Sequence, residues 1–199
     1  MSAMPAGSTL CEMEAVVIGA SAGAGAALSQ LLPPLLKEFP LPILIVVHVP
    51  ADRPSNFPKL LQAKCRITVK EAEDKESIRP GTVYFAPPDY HLLVEKERRL
   101  SLSNEEPVQY SRPSIDVLFE TAADTYGKAL LAIVLTGANQ DGARGARAVS
   151  EAGGLVMVQI PESAEADMLP KSTLALCPEA RAISLQTLSE LLRACGGRT

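Results

Sequence analysis

The chain has 199 residues and a formal net charge of −4, with 47% hydrophobic and 21% charged residues, a length and composition suited to one sizeable folded domain rather than to disorder. Nineteen Lys and Arg against 23 Asp and Glu, without a long like-charge run, leave no electrostatic footprint for nucleic acid. No stretch reaches the ~20 apolar residues of a membrane span, and Met1 to Met13 lacks a signal peptide's basic start and long apolar run, so the expected location is the cytoplasm.

Met1 to Met13 is small and polar, with Pro5 and Gly7, and reads as a loose tail; residues 14–199 read as one domain. From Ala15 the run Ala-Val-Val-Ile-Gly-Ala-Ser predicts a strand and a turn, followed by a Leu-rich helix over 22–36 that Pro40 and Pro42 stop. Ile43 to Val47 is a continuous β-branched run, as in strands buried on both faces, and it ends at His48. Phe57 to Ala63 has helical spacing, and Ile67 to Val69 is a short β-prone piece. Thr82 to Phe85, His91 to Glu95 and Arg99 to Leu102 then read as an antiparallel excursion, with a hairpin at a sheet edge. The alternation resumes with a helix over 114–126, a buried strand over 128–135 and a helix over 143–152. A strand over 155–159 and helices over 168–176 and 185–194 complete the chain. Strands alternating with helices imply a doubly wound, mostly parallel α/β sheet covered on both faces.

Ligands of such sheets bind beyond the carboxyl ends of the strands. The first strand is followed by Gly19-Ala20-Ser21-Ala22-Gly23 and the second by His48; the strand ending at Leu135 leads into Thr136-Gly137-Ala138-Asn139-Gln140-Asp141-Gly142. A serine, a histidine and an aspartate therefore leave one edge of one sheet. A serine hydroxyl needs a base to take its proton, neutral imidazole is suited to that near pH 7, and the imidazolium needs an anion to hold it. Ser21 is the candidate nucleophile, His48 the base and Asp141 the orienting acid. Backbone amides of the Gly19-to-Gly25 turn or the Gly137-to-Gly142 loop could supply an oxyanion site. Each residue also has a plainer reading: Ser21 as a helix cap, His48 as a structural strand-end residue, Asp141 as half of an Asp-Gly turn. The glycine spacing is not G-x-G-x-x-G, and the second strand ends in a histidine where a dinucleotide site wants an acid. No histidine follows Asp141, which excludes the triad order of an α/β-hydrolase.

His91 lines the site or supports the fold, and Arg112 and Ser114 either open a helix or touch substrate. Arg144 and Arg147 form a solvated face or contact an acidic protein surface. The four cysteines, Cys11, Cys65, Cys177 and Cys195, have no C-x-x-C spacing and read as reduced structural thiols. Histidine occurs twice in the chain.

Several motifs in order resemble the catalytic domain of the chemotaxis protein-glutamate methylesterases (CheB-type), from about Val16 to Ala175. The family's I-G-A-S-T-G-G stands here as Ile18 to Ala24, its Q-H-M-P as Val47 to Pro50, and its P-G-x-x-Y-x-A-P-x-x-x-H as Pro80 to His91. Its R-P-S-x-D-x-L-F stands as Arg112 to Phe119, and its L-T-G-M-G-x-D-G-A as Leu135 to Ala143. The departures are Ala22 for threonine, Ala24 for glycine, Val47 for glutamine and Ala138-Asn139 for Met-Gly. The resemblance implies a Ser21-His48-Asp141 triad that hydrolyses γ-glutamyl methyl esters on the cytoplasmic helices of chemoreceptors, with deamidation of glutamine at equivalent sites. It implies no metal or cofactor. Its implied partners are the receptor and a separate response regulator or methyltransferase protein; about 14 residues before the first strand are too few for the family's receiver domain, so the chain reads as either a stand-alone esterase or an excised fragment. A catalytically idle homologue that binds a receptor or methyltransferase is the alternative, and an esterase or amidase for small molecules a third.

Overall fold

The computed structural model describes residues 12–48 and 56–196. Cys11, the tail up to it and the Val49-Pro50 end of the second motif lie outside them. Met13, read with the tail, is buried against the core.

Seven parallel strands form the main sheet: β1 (Ala15–Ala20), β2 (Ile43–Val47), β3 (Thr68–Glu71), β4 (Thr82–Phe85), β7 (Leu130–Val134), β8 (Leu155–Gln159) and β9 (Arg181–Ile183). Their order is β3-β4-β2-β1-β7-β8-β9. β5 (His91–Glu95) and β6 (Arg99–Ser103) pair antiparallel as a separate sheet. The helices are α1 (Ala24–Leu31), α2 (Phe57–Gln62), α3 (Ile115–Tyr126), α4 (Ala143–Glu151), α5 (Met168–Leu176) and α6 (Leu185–Gly196).

Alternation along the buried strands explains the two covered faces. Val16, Ile18, Ile43 and Ile45 point into one core with Leu28 and Leu31 of α1 and Leu188 and Leu192 of α6. Val17, Leu44, Val46 and Ala132 point into the other, against Leu118 and Phe119 of α3, Val149 of α4 and the hairpin residues Leu92, Val94 and Leu100. Both faces of β1 and β2 are buried throughout, which is why their sequences are continuously apolar rather than alternating.

Three details differ from the sequence expectation. Thr82 to Phe85 belongs to the parallel sheet, inserted between β3 and β2, so only β5 and β6 form the excursion, and their hairpin stands as its own sheet. The first helix ends at Leu31, well before Pro40, because Pro33 and Pro34 have no amide hydrogen with which to continue it. Leu32 and Leu35 nonetheless stay buried in the core. β9 is three residues long, too short to show a period, and was not anticipated.

β1 is central, with β2 on one side and β7 on the other. The chain runs outward from β1 in one direction and later returns to fill the other, so the carboxyl end of β1 is the sheet's topological switch point, the place where ligands of such sheets bind.

Candidate active site

The register pairs Ala20 with Val47 and Gly19 with Val134, so Ser21, His48 and the Leu135-Thr136-Gly137 segment leave the sheet together. Backbone bonds extend this ladder past the strands: His48 N–H donates to Ala20 O at 3.1 Å, Leu135 N–H to Gly19 O at 2.9 Å and Ser21 N–H to Thr136 O at 2.9 Å. Ser21 is thus tied between its neighbours before any side chain acts.

After Ser21 the chain must turn sharply into α1. Gly23 provides the turn at φ 83°, the left-handed region glycine enters without a Cβ penalty. Ala24, in place of the motif's glycine, already sits in the helix, where an alanine is unstrained. On the far side, a Cβ on Gly137 would lie 3.2 Å from Ser21 Cβ and 2.8 Å from Leu169 Cδ2, so the loop backbone rests directly against the serine.

The Asp141 side chain is fully buried and accepts four hydrogen bonds. His48 Nε2–H donates to Oδ2 at 2.7 Å, beside the Ile115 amide at 2.8 Å. The Ser114 hydroxyl donates to Oδ1 at 2.7 Å, beside the Asp116 amide at 3.1 Å. Burial works to raise this carboxyl, but the bonds from His48, Ser114 and the Ile115 amide outweigh it and hold the group below the usual aspartate value. The carboxylate is therefore ionised, Nε2 of His48 carries the proton, and Nδ1 is left with its lone pair.

Why these donors converge follows from α3. Ser114 is its N-cap, extended at φ −103° and ψ 137°, with its hydroxyl accepting from Val117 N–H at 3.5 Å. The amide of Ser114 itself donates to His91 Nδ1 at 3.1 Å, and His91 Nε2–H donates to Glu106 O at 3.2 Å. The exposed first-turn amides that any helix must satisfy are thus used to bind Asp141 and His91. His91 is buried and occupied at both nitrogens, so of its two readings the supporting one holds. Arg112 is also consumed internally: Nε and Nη2 donate to Asp89 Oδ1 at 3.0 and 2.6 Å, and Nη1 donates to the Asn104 and Glu105 carbonyls. Ser114 is a cap and an Asp141 donor at once.

Two residues in the site escaped sequence reasoning. Asp116 Oδ1 accepts the Gly142 and Gly145 amides at 2.9 and 2.7 Å, and its Oδ2 accepts Gln109 Nε2–H at 2.8 Å. Burial pushes this carboxyl above its ordinary value against the Gly145 bond, and the Asp141 charge pushes it further. Asn139 Nδ2–H donates to His48 Nδ1 at 3.3 Å, while its Oδ1 accepts the Asp141 amide at 3.2 Å. Asp116 carries only the general signal of an acid in a first helical turn, and Asn139 sits in a loop that no periodicity marks.

The remaining candidates take plainer roles. Arg144 pairs loosely with Glu120 at 3.8 Å and Arg147 with Glu151 at 2.7 Å, all exposed, so this is a solvated face. The Gly137 amide donates to Ala166 O at 2.9 Å and the Ser21 amide is spent on Thr136, which removes both from the oxyanion candidates. Among the described residues no cluster of three or more His, Cys, Asp and Glu could hold a metal ion, and no helix is long and apolar enough to cross a membrane.

A family profile described as CheB methylesterase matches residues 16–192. The chain belongs to the CheB methylesterase family. A CheB-family relative in Leptospira interrogans, named a putative protein-glutamate methylesterase/protein-glutamine glutaminase, is 47% identical over 178 residues, 89% of this chain and 92% of that protein. A Cupriavidus metallidurans protein-glutamate methylesterase/protein-glutamine glutaminase is 38% identical over 182 residues; the match takes in 90% of this chain and 51% of that longer protein. The crystal structure of the Thermotoga maritima CheB methylesterase catalytic domain superposes with TM-score 0.84 at 32% identity, covering 91% of this chain and 97% of that one. Of this chain's departures from the CheB motifs, Val47 fills the core and Asn139 faces His48.

Proposed function

We propose that the chain is a protein-glutamate methylesterase, and a glutaminase at equivalent glutamines, acting through Ser21, His48 and Asp141. The observation that carries this reading is the 2.7 Å bond from His48 Nε2–H to a buried, ionised Asp141 at the sheet edge where Ser21 leaves the neighbouring strand. It leaves Nδ1 as the base. In the first half-reaction Ser21 Oγ attacks the γ-ester carbonyl carbon as its proton passes to Nδ1; the tetrahedral adduct collapses, and methanol leaves with that proton. Water then attacks the glutamyl-serine ester, its proton again taken by Nδ1, and glutamate is released with Ser21 restored. With glutamine, ammonia leaves in place of methanol. The Ala22 amide, one residue after the nucleophile in the turn that leads into α1, is the candidate donor to the oxyanion.

The substrate in this reading is a methylated helix of a chemoreceptor's cytoplasmic part, which places the enzyme in the cytoplasm with a separate response regulator or methyltransferase as further partner. Replacing Ser21 by alanine tests it. Wild-type protein is expected to release methanol from methylated receptor, and Ser21→Ala none, with an unchanged circular dichroism spectrum. Equal release by both would sink the triad; receptor binding without methanol from the wild type would establish the idle homologue instead.

A further inference from the structure

The nitrogen that must take the Ser21 proton is already engaged. His48 has its Nε2–H on Asp141, so Nδ1 carries the lone pair, and that lone pair accepts Asn139 Nδ2–H at 3.3 Å. The amide's orientation is not free: its Oδ1 accepts the Asp141 N–H at 3.2 Å, which turns the NH₂ group toward the imidazole. Asn139 therefore bridges the backbone of the orienting acid and the side chain of the base, in the same loop whose Gly137 rests against Ser21. Asn139 is partly exposed, so an incoming group can reach it.

We propose that Asn139 is a specificity-determining latch on the base, opened by the substrate. In the resting protein its amide holds Nδ1. When an ester or amide carbonyl enters beside Ser21, that oxygen takes over the Asn139 N–H, and Nδ1 is released to accept the serine proton. The amide then donates to the oxygen on which negative charge develops. An electrophile whose oxygens are poor acceptors does not displace the amide and reacts only in the fraction of molecules whose latch is open. This rests on the triad reading above, and it adds a requirement: the substrate must bring a good hydrogen-bond acceptor next to the reacting carbon.

The test compares wild type, Asn139→Ala and Asn139→Gly. Asn139 is not in the left-handed backbone region, and its loop is anchored independently by Gly137 N–H to Ala166 O and Leu169 N–H to Gly137 O at 2.9 and 3.0 Å, so both variants fold. Phenylmethylsulfonyl fluoride, whose sulfonyl oxygens accept weakly, is used as a small probe of Ser21: Oγ attacks sulfur, fluoride leaves and the proton passes to Nδ1. Losing the latch should raise the rate of Ser21 labelling, mapped by mass spectrometry, roughly five- to tenfold, the weight of one neutral hydrogen bond. Methanol release from methylated receptor should fall at least about tenfold, because a side-chain donor to the oxyanion is lost. The ¹⁵N resonance of His48 Nδ1 should move from a hydrogen-bonded to a free lone-pair position. A structural role would move both rates the same way. Labelling and methanol release shifting together, or an unmoved Nδ1 resonance, overturns the latch while leaving the triad standing. Absence of Ser21 labelling in every variant fails the triad itself, and the latch with it.

Discussion

Asp141 and Asp116 exchange helix termini. Asp141, which precedes α4, accepts the Ile115 and Asp116 amides at the start of α3, while Asp116, in the first turn of α3, accepts the Gly142 and Gly145 amides at the start of α4. Each carboxylate meets the positive end of the other's helix, an attraction that for Asp116 is outweighed by burial and by the Asp141 charge. The exchange locks α3 to α4 and fixes the carboxylate on which His48 turns. The orientation of His48 is thus a by-product of how two helices start.

Asp141→Asn separates the two jobs of this carboxylate. An amide has one accepting oxygen where the carboxylate has two, so one of the pairs now on Oδ1 and Oδ2 meets an NH₂ donor instead. A stability loss of about 1–3 kcal/mol is expected from the stranded buried donor, measured by urea unfolding. Methanol release should fall on the order of 10⁴-fold, because the imidazole loses the anion that fixes its tautomer. Loss of activity at unchanged stability would mean the four bonds do not hold the helix start.

The two aspartates should act on stability with opposite signs as pH changes. Asp141 is held below the ordinary value of 3.8, so its contribution is complete above that value and is lost as pH falls through the depressed folded-state range. Asp116 is raised above 3.8, so the native state takes up its proton first on acidification, and its ionisation costs stability as pH rises through the raised value. Asp116→Asn removes that cost: its Oδ1 keeps both glycine amides, and Gln109 can turn its own oxygen toward the new NH₂. The difference in melting temperature, variant minus wild type, is expected to become more positive as pH rises above the ordinary value of 3.8. A flat or falling difference would mean that the Asp116 charge is welcome at the junction.

The distribution of these residues along the chain explains what could be read beforehand. Strands β1, β2 and β7 announce themselves as unbroken apolar runs because both of their faces are buried, and so the residues that follow them were legible as a candidate site. Ser21, His48 and Asp141 were reached that way. β4 was misread because strand insertion between β3 and β2 depends on contacts far apart in sequence, which Thr-Val-Tyr-Phe does not encode locally. The exchange between Asp116 and Asp141 joins residues 25 apart through backbone amides, so no local capping pattern reveals it. Ser114 did carry a local signal, since a serine before an apolar helical run is a cap; its second bond, to Asp141, is visible only in three dimensions.

Gly137→Ala probes the contact between the two loops. The added Cβ would lie 2.8 Å from Leu169 Cδ2, 2.9 Å from Leu169 Cβ and 3.2 Å from Ser21 Cβ. Leu169 is fully buried and has little room to retreat, so the loop must move, at a cost of about 1–3 kcal/mol for overpacking. Because Ser21 N–H is tied to Thr136 O, displacement of this loop shifts Ser21 as well. Labelling of Ser21 by a sulfonyl fluoride should slow by more than the change in thermal stability alone accounts for, checked at a temperature where both proteins are fully folded. Equal labelling rates would show that the serine is positioned by its own turn.

The two histidines should fail in different ways. His48, with 13% of its side chain exposed, bonds through its ring to the side chains of Asp141 and Asn139, so His48→Ala should keep the fold while ester turnover drops by about 10⁴-fold or more. His91 is buried and satisfies the Ser114 amide and the Glu106 carbonyl, one with each nitrogen. His91→Phe fills a similar space and leaves both groups stranded, at a cost of about 1–3 kcal/mol each. Its effect on turnover should be indirect and smaller, since it acts only by loosening the α3 start that grips Asp141. His91→Gln can restore one of the two bonds and should recover part of the stability. Chemical denaturation set beside methanol release, for all three variants, checks the contrast. If His91→Phe removed turnover while leaving stability intact, His91 would belong to the chemistry, and the single-base reading of His48 would fall.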